Sequence, residues 1–314
     1  MSDDSLPLRL SWDEVAPASC LRGAVAVGNF DGVHRGHANL VAALQEQARA
    51  VGGPAVVLSF DPHPLQLLAP EKFQPMLMTP ADRVRWLKQA GADEVVLLRT
   101  SRELLQLSGT RFFQRILRGG LAAKAVVEGF NFRFGRDRAG DLDLLQLLCR
   151  IAGLTFVSVP PFLLDGVPVS SSRVRNELLA GNVRAAARLL GRRHDVHGVV
   201  GTGAQRGRLL GFPTANLQQV ETVLPGDGVY AVRATTAGTV HAGAANVGPN
   251  PTFGEQDRKL EVHLLDFSGD LYGQQLTVEF VERLRGTRPF PGPAELVEQL
   301  RRDVEAVRGL EISS

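Results

Sequence analysis

The sequence predicts an α/β protein in two parts: an N-terminal parallel sheet covered by helices, and a C-terminal small antiparallel β-barrel with a closing helix. Three observations predict it. Short apolar runs alternate with helical patterns through the first half, the mark of a parallel sheet buried on both faces. From residue 194 onward, short alternating runs separated by glycine and proline turns take over. The length of 314 residues suits two domains, and the change of character places the boundary near residue 187, giving parts 1–186 and 187–314.

Residues 1–22 read as an edge segment leading into the sheet, and 23–28 as a short buried strand. Over 37–51 Leu40, Val41, Leu44 and Ala48 recur at helical spacing, and Gly52-Gly53 ends the helix. Residues 54–60 form a second apolar strand. Thr79-Pro80 reads as an N-cap followed by proline at the first helical position, opening a helix that runs to Gly91. A third strand spans 95–98, a helix 111–117, a fourth strand 124–128, a helix 142–151 closed by Gly153, and a fifth strand 155–159. Two helices, 173–180 and 183–190, are separated by Gly181-Asn182. Strands are expected at 194–200, 228–235, 240–247, 260–267 and 276–284, and an amphipathic helix at 293–307.

The formal charge is +2, which gives no general reason to expect nucleic-acid or membrane binding. Most of the basic residues are arginine, as suits repeated phosphate contacts; a GC-rich genome produces the same bias. Cys20 and Cys149 stand far apart and outside any ligand-spaced motif, which fits a reducing compartment. The start Met-Ser-Asp-Asp lacks a basic region followed by an apolar run, and no stretch reaches transmembrane length. A soluble, cytoplasmic protein is expected, and a weak homo-oligomer is compatible with the sequence.

One stretch organises the first half: residues 26–37, Ala-Val-Gly-Asn-Phe-Asp-Gly-Val-His-Arg-Gly-His. It reads as a strand end, a glycine-rich turn and a helix opening. His34 and His37 stand at i and i+3, on one helical face. The first N–H groups of a helix have no partner within it and favour anions, and Gly28 and Gly32 permit a tight turn and close approach. Gly28, Asn29, Phe30 and Asp31 therefore belong to a phosphate-handling turn, in which the imidazoles of His34 and His37 take the place of a lysine. Half a metal site and a plain structural turn are the alternatives; a metal site normally adds a third ligand, and none is evident nearby in the sequence.

Other distinctive residues also fall just past strands, where ligands bind in such sheets. Asp61-Pro62-His63-Pro64 is either a rigid turn or part of the site. In Gly-Phe-Asn-Phe-Arg-Phe-Gly, residues 129–135, the alternating phenylalanines are either core or a loop over a flat ligand, with Asn131 and Phe132 the candidate contacts. In Ser-Ser-Ser-Arg-Val-Arg, residues 170–175, Ser171 and Ser172 either cap a helix or join Arg175 on a phosphate, since cations at a helix N-terminus are unfavourable without an anion. In the second half, residues 203–216 are rich in glycine and arginine and do not match the P-loop pattern. Thr214 and Asn216 alternate, so in a strand they face one way and can both offer oxygen to a hard cation. Residues 246–254 suit either a lid or a plain loop.

These motifs resemble a known family. Gly-Asn-Phe-Asp-Gly-Val-His-Arg-Gly-His and Ser-Ser-Ser-Arg-Val-Arg are similar to the His-x-Gly-His and Ser-Ser-Thr/Ser-x-x-Arg motifs of the nucleotidyltransferase superfamily. Gly-Phe-Asn-Phe-Arg-Phe-Gly resembles the adenylyltransferase half of the bacterial bifunctional riboflavin kinase/FAD synthetases. Gly-Phe-Pro-Thr-Ala-Asn, Asn-Val-Gly-Pro-Asn-Pro-Thr-Phe and Glu-Val-His-Leu-Leu-Asp-Phe resemble the riboflavin kinase module, in the family's order. That family usually has Thr at the position of Ser172 and often Asp at that of Asn131; the hydroxyl and an oxygen acceptor are kept. It also often has an acidic residue after the arginine near Arg285, where this chain has Gly286-Thr287.

The resemblance implies a Rossmann-like nucleotidyltransferase domain that adenylylates FMN with ATP to FAD and pyrophosphate, and a barrel domain that phosphorylates riboflavin with ATP to FMN. It implies Mg2+ as cofactor, ATP as co-substrate, riboflavin and FMN as substrates, and FMN and FAD as product ligands. By that resemblance Thr214 and Asn216 hold Mg2+ and ATP, and Glu261 is the base on the ribityl hydroxyl. Gly203, Arg206, Gly211, Phe212 and Pro213 line the nucleotide, and Arg285 and Phe290 the flavin. The alternatives are a chain retaining only one activity, or an inactive flavin-binding regulator. A degenerate homologue should lose His34, His37, Thr214 or Glu261, and all four are present.

Overall fold

The computed structural model describes residues 7–202, 207, 210–249, 258–310 and 312. The chain folds into two compact units, one of residues 1–74 and 79–170, the other of residues 75–78 and 171–314.

The first unit contains β1 (Leu8–Leu10), β2 (Ala24–Gly28), α1 (Arg35–Val51), β3 (Ala55–Asp61), α2 (Pro64–Leu68), α3 (Pro80–Gln89) and β4 (Glu94–Arg99). It continues through α4 (Arg102–Leu105), α5 (Gly109–Phe112), β5 (Ala125–Gly129), α6 (Leu142–Ala152), β6 (Thr155–Val159) and a small hairpin of β7 (Leu163–Leu164) and β8 (Val167–Pro168). Six strands form a parallel sheet in the order β1-β4-β3-β2-β5-β6. The expected edge segment is realised as β1 against β4, and the five expected strands are all present.

The capping signals work as read. The Thr79 hydroxyl accepts the Asp82 N–H at 3.1 Å, and Gly52 and Gly153 close α1 and α6 in left-handed conformations. The helix expected at 111–117 differs: α5 runs on as a π-helix over Phe113–Gly120, with the Leu121 N–H reaching back to the Ile116 carbonyl at 2.9 Å. This widened turn turns Phe113, Ile116 and Leu117 into the core beside Val25, Val96 and Val126. Each such apolar side chain stabilises the fold by about 1.5–3 kcal/mol.

Because β3 and β4 lie on one side of β2 while β5 and β6 lie on the other, the strand order reverses between β2 and β5. That is where open α/β sheets bind ligands, beyond the carboxyl ends. The two strands pair only through Ala24↔Ala125 and Val25↔Val126, then part. In the gap the Glu128 carboxyl, 1% exposed, accepts the Val27 N–H at 2.8 Å and satisfies a donor the ladder leaves over.

The second unit contains α7 (Ser171–Leu179), α8 (Val183–Leu190), β9 (His194–Gly201), β10 (Ala215–Gln218), β11 (Gly228–Thr236), β12 (Thr239–Gly248), β13 (Lys259–Leu264), β14 (Gln275–Arg285) and α9 (Pro293–Arg308). Six antiparallel strands close a barrel in the order β10-β13-β12-β11-β14-β9. Five strands are expected there from the sequence; the sixth, β10, begins at the end of the glycine- and arginine-rich motif. Burial alternates strictly along β9 and β13, so the inner face fills the barrel. α9 and the residues just after it cover the outside, with Val304, Val307 and Leu310 on Ala231, Ala242 and Val281. By packing, α7 and α8 go with the barrel: Arg184 pairs with Glu282, and Arg283 donates to the Ala180 and Asp227 carbonyls. A cut near residue 187 passes through α8.

Candidate functional sites

In the first unit the candidate site is the turn between β2 and α1. After Gly28 the chain passes through left-handed backbone at Phe30 (φ 49°), Gly32 (φ 83°) and Val33 (φ 36°). His34 then caps α1, its Nδ1 accepting the His37 N–H at 3.3 Å. The two imidazoles stack with centroids 3.7 Å apart and planes 14° apart, and Phe30 leans on His37 at 5.1 Å. The i, i+3 spacing thus delivers one paired imidazole face at a helix start. Asp31 and His34 are 6% and 5% exposed, so polar groups sit low in the turn. Gly28 and Gly36 make room: a Cβ would lie 3.1 Å from the Phe30 ring at Gly28, and 3.1 Å from His34 Cε1 at Gly36. Gly28, Asn29, Phe30, Asp31, His34 and His37 therefore share one short turn at the reversal of the sheet.

Across that reversal, β5 leads into the phenylalanine loop. The alternating phenylalanines divide: Phe134 is core, bridging to Gly140, while Phe130 is 48% exposed. Phe132 stacks on Phe134 at 5.5 Å and is half-buried, and Asn131 is exposed. Core thus describes Phe134 and an open loop Phe130 and Asn131. The 61–64 segment has a cis Asp61-Pro62 bond, and His63 caps α2 by accepting the Leu65 N–H at 3.1 Å. Ser171, Ser172 and Arg175 open α7 in the second unit, where Arg175 donates to the Pro75 carbonyl at 3.0 Å.

In the barrel the register aligns a polar row. Asn216 on β10 is opposite Glu261 on β13, which is opposite Asn246 on β12. All three are half-buried and alternate with the inward Leu217, Val262 and Val247, so they line the barrel's outer face. Thr214 precedes β10 on the same alternation as Asn216. The approach is shaped by Phe212 and Pro213: His263 bonds the Pro213 carbonyl at 2.8 Å and meets the Phe212 ring edge-on at 5.6 Å. Gly211 is left-handed (φ 86°), and a Cβ at Gly207 would fall 2.3 Å from the Phe212 carbonyl. The Thr214 hydroxyl and the Asn216 amide oxygen are hard oxygen donors of the kind magnesium takes, few protein ligands at a time. Gly203 and Arg206 lie outside the described residues, as does the 250–254 part of the expected lid segment.

At the end of β14, Arg285 is gripped by Asp303 of α9 through Nε (3.0 and 3.1 Å) and Nη2 (2.8 Å), and Gln299 donates to the same carboxylate at 2.9 Å. Phe290 lies between Arg285 and Arg288, 5.7 and 5.0 Å from its centroid. The sequence reading singles out Arg285 and Phe290 but not Asp303, whose only signal is an acid among the polar positions of the last helix. It also passes over Asn246 as a site residue, although that residue opens a quoted motif, and over the buried Glu128. Burial pushes the Glu128 carboxyl well above its usual range.

The comparisons divide the chain in the same sense. A family model described as FAD synthetase matches residues 17–173, and one described as riboflavin kinase matches residues 190–310. The bifunctional riboflavin kinase/FMN adenylyltransferase of Pseudomonas fluorescens is 41% identical over 92% of this chain and 93% of its own length. The protein of that name from Escherichia coli K12 is 38% identical over 89% and 90%, and that of Bacillus subtilis 34% over 91% and 92%. A crystal structure titled as a macrolide-efflux protein from Streptococcus pneumoniae superposes with a TM-score of 0.86 at 32% identity, covering 97% of this chain and 100% of that one. Among the described residues of this chain, no helix is long and apolar enough to cross a membrane.

Proposed function

The chain belongs to the bifunctional riboflavin kinase/FMN adenylyltransferase family, and from that premise we propose how its own residues divide the two reactions. Residues 1–186 carry FMN adenylylation and residues 187–314 riboflavin phosphorylation. The substrates are riboflavin, FMN and ATP. The reactions take place in the cytoplasm, in keeping with two buried free thiols, both pushed upward in pKa by burial.

In the first part the nucleophile is the FMN phosphate, which attacks the α-phosphorus of ATP. A new P–O bond forms, the α–β bond breaks, and pyrophosphate leaves. The phosphate is already anionic, so no strong base is required; the site must orient the reactants and stabilise charge on the α-phosphate and leaving group. His34 and His37 serve that purpose, because their stacked rings lie together at the N-terminus of α1, the end of a helix that favours anions. Gly28 to Asp31 hold the nucleotide, Ser171, Ser172 and Arg175 grip its phosphates, and Asn131 and Phe132 receive the flavin. The single observation that carries this assignment is the His34–His37 stack at the end of the central strand.

In the second part Glu261 accepts the proton of the ribityl hydroxyl as its oxygen bonds to the γ-phosphorus and ADP departs. Thr214 and Asn216 would hold Mg2+, which when bound draws charge from the γ-phosphate. Gly203, Arg206, Gly211, Phe212 and Pro213 form the nucleotide loop, and Arg285 and Phe290 the flavin side. Support comes from the Asn216–Glu261 pairing, which sets a base beside an oxygen ligand. The test is chromatography of flavins after incubating the protein with riboflavin, ATP and Mg2+. FMN followed by FAD is expected; Glu261→Gln should stop FMN formation yet still convert supplied FMN to FAD. Unchanged riboflavin with the natural sequence would favour a flavin-binding regulator, and FMN alone a single activity.

A further inference from the structure

Arg83 lies on α3 and is 3% exposed. Its Nη1 donates to the Asn29 carbonyl at 2.9 Å and its Nη2 to the Phe60 carbonyl at 3.0 Å. Asn29 leaves β2 and Phe60 lies near the end of β3, so one guanidinium ties together the exits of two neighbouring strands. The Ser59 hydroxyl adds a bond to the same Asn29 carbonyl at 3.2 Å. The peptide plane is rigid, with C=O and N–H opposed. Fixing the Asn29 carbonyl on Arg83 therefore directs the Phe30 N–H away from it. Left-handed backbone follows at Phe30 and Val33, neither of them glycine. Such conformations persist only where their surroundings over-determine them. Arg83 restrains the entry to the turn, and the His34 cap restrains its exit.

Stability alone does not account for an arginine here. Burial pushes its guanidinium below the ordinary value, against the attraction of Asp61 and Asp31. Among the described residues its Nε has no hydrogen-bond partner. A buried charge with an unpaired donor costs stability that an apolar side chain would keep. An apolar side chain, however, cannot hold two carbonyls at a set separation, and the rigid planar fork of arginine can.

We propose that Arg83 is a positioning residue for adenylyl transfer: by clamping the Asn29 and Phe60 carbonyls it holds the 29–34 turn, and with it the His34–His37 pair, in the reactive arrangement. This rests on the reading of residues 28–37 as the adenylyl-transfer site. The test uses the full chain with Arg83→Met and Arg83→Lys, measuring FAD formation from supplied FMN, FMN formation from riboflavin, and thermal melting. For Arg83→Met, kcat of adenylylation should fall roughly 10- to 100-fold, as misplacement by about 1 Å does. The KM for ATP should change by less than about threefold, and riboflavin phosphorylation should stay within about twofold, since its residues lie in the other unit. Arg83→Lys should fall between, keeping the charge without the planar fork. A wild-type kcat in folded Arg83→Met overturns the inference. If that variant does not fold, Arg83→Lys decides: full kcat with a lowered melting temperature makes Arg83 structural only. Activity lost in both variants strictly in step with unfolding of the first unit also overturns it. A His34→Ala/His37→Ala variant run alongside separates the two claims, because only its retention of FAD synthesis would sink the reading of the site itself.

Discussion

Replacing Gly36 with alanine should leave the first unit folded and slow its chemistry. A Cβ there would lie 3.1 Å from His34 Cε1, 3.2 Å from His34 Nδ1 and 3.4 Å from the Val169 carbonyl. Carbon atoms pack best at about 3.5–4.0 Å, so the imidazole must retreat by a few tenths of an ångström. It has little freedom to do so, being stacked on His37 at 3.7 Å and already accepting the His37 N–H at a long 3.3 Å. Alanine in place of glycine favours a helix interior by about 0.5–1 kcal/mol, and less so near the first turn. A ring pushed off its rotamer costs about 0.5–1.5 kcal/mol. The two terms nearly cancel, so stability should change by less than about 1 kcal/mol. The displaced imidazole should lose transition-state contact worth about 1.4 kcal/mol, a tenfold fall in kcat for FAD formation. Flavin chromatography reads both reactions in one sample, with FMN formation as the internal reference. Undiminished FAD formation, or an equal fall in both activities, would refute the reasoning.

Three further outcomes are expected. Burial raises the Glu128 pKa in the native state, so above about pH 4.3 the unfolded chain ionises while the native one keeps its proton, and stability falls as pH rises toward the native value. Glu128→Gln keeps an acceptor for Val27 and removes that slope; its melting temperature should exceed the natural protein's by more at pH 8 than at pH 5, and an equal gap would contradict this. His194 is buried, bonded to the Val223 carbonyl at 2.8 Å and shifted downward by burial. The barrel should therefore lose stability as pH falls below about 6.5, where the unfolded chain takes up the proton first; in His194→Gln the drop in melting temperature from pH 7.5 to 5.5 should be smaller. Asp303→Ala strands the Arg285 guanidinium, whose side chain is only 19% exposed. A loss of about 3 kcal/mol on denaturation, with a raised KM for riboflavin and unchanged FAD formation from FMN, is expected.

The parallel sheet is legible because strands buried on both faces leave continuous apolar runs such as residues 55–58, and because Thr79, Gly52 and Gly153 cap as their residue types dictate. The histidine turn is legible for the same local reason: helical spacing alone brings His34 and His37 together. What escapes is decided by packing at long range. β10 is too short and polar to announce itself, and becomes a strand by pairing Asn216 with Glu261. Phe134 joins the core while Phe130 stays exposed, although both sit on one alternation. Residues 173–180 and 183–190 read as two helices, but that they pack with the barrel, through an ion pair and a carbonyl contact from β14, shows only in the fold. Arg83 and Glu128 belong to no motif in the sequence; only the fold shows that they meet the backbone of β2 and the turn after it.

The central claim is that the paired imidazoles of the first unit perform the second of two reactions and nothing in the first. It is tested most directly by the flavins formed from riboflavin, ATP and Mg2+ with the His34→Ala/His37→Ala protein. FMN should accumulate at close to the natural rate and FAD should not form. FAD appearing as fast as in the unaltered protein, or FMN formation failing with it, would contradict the account.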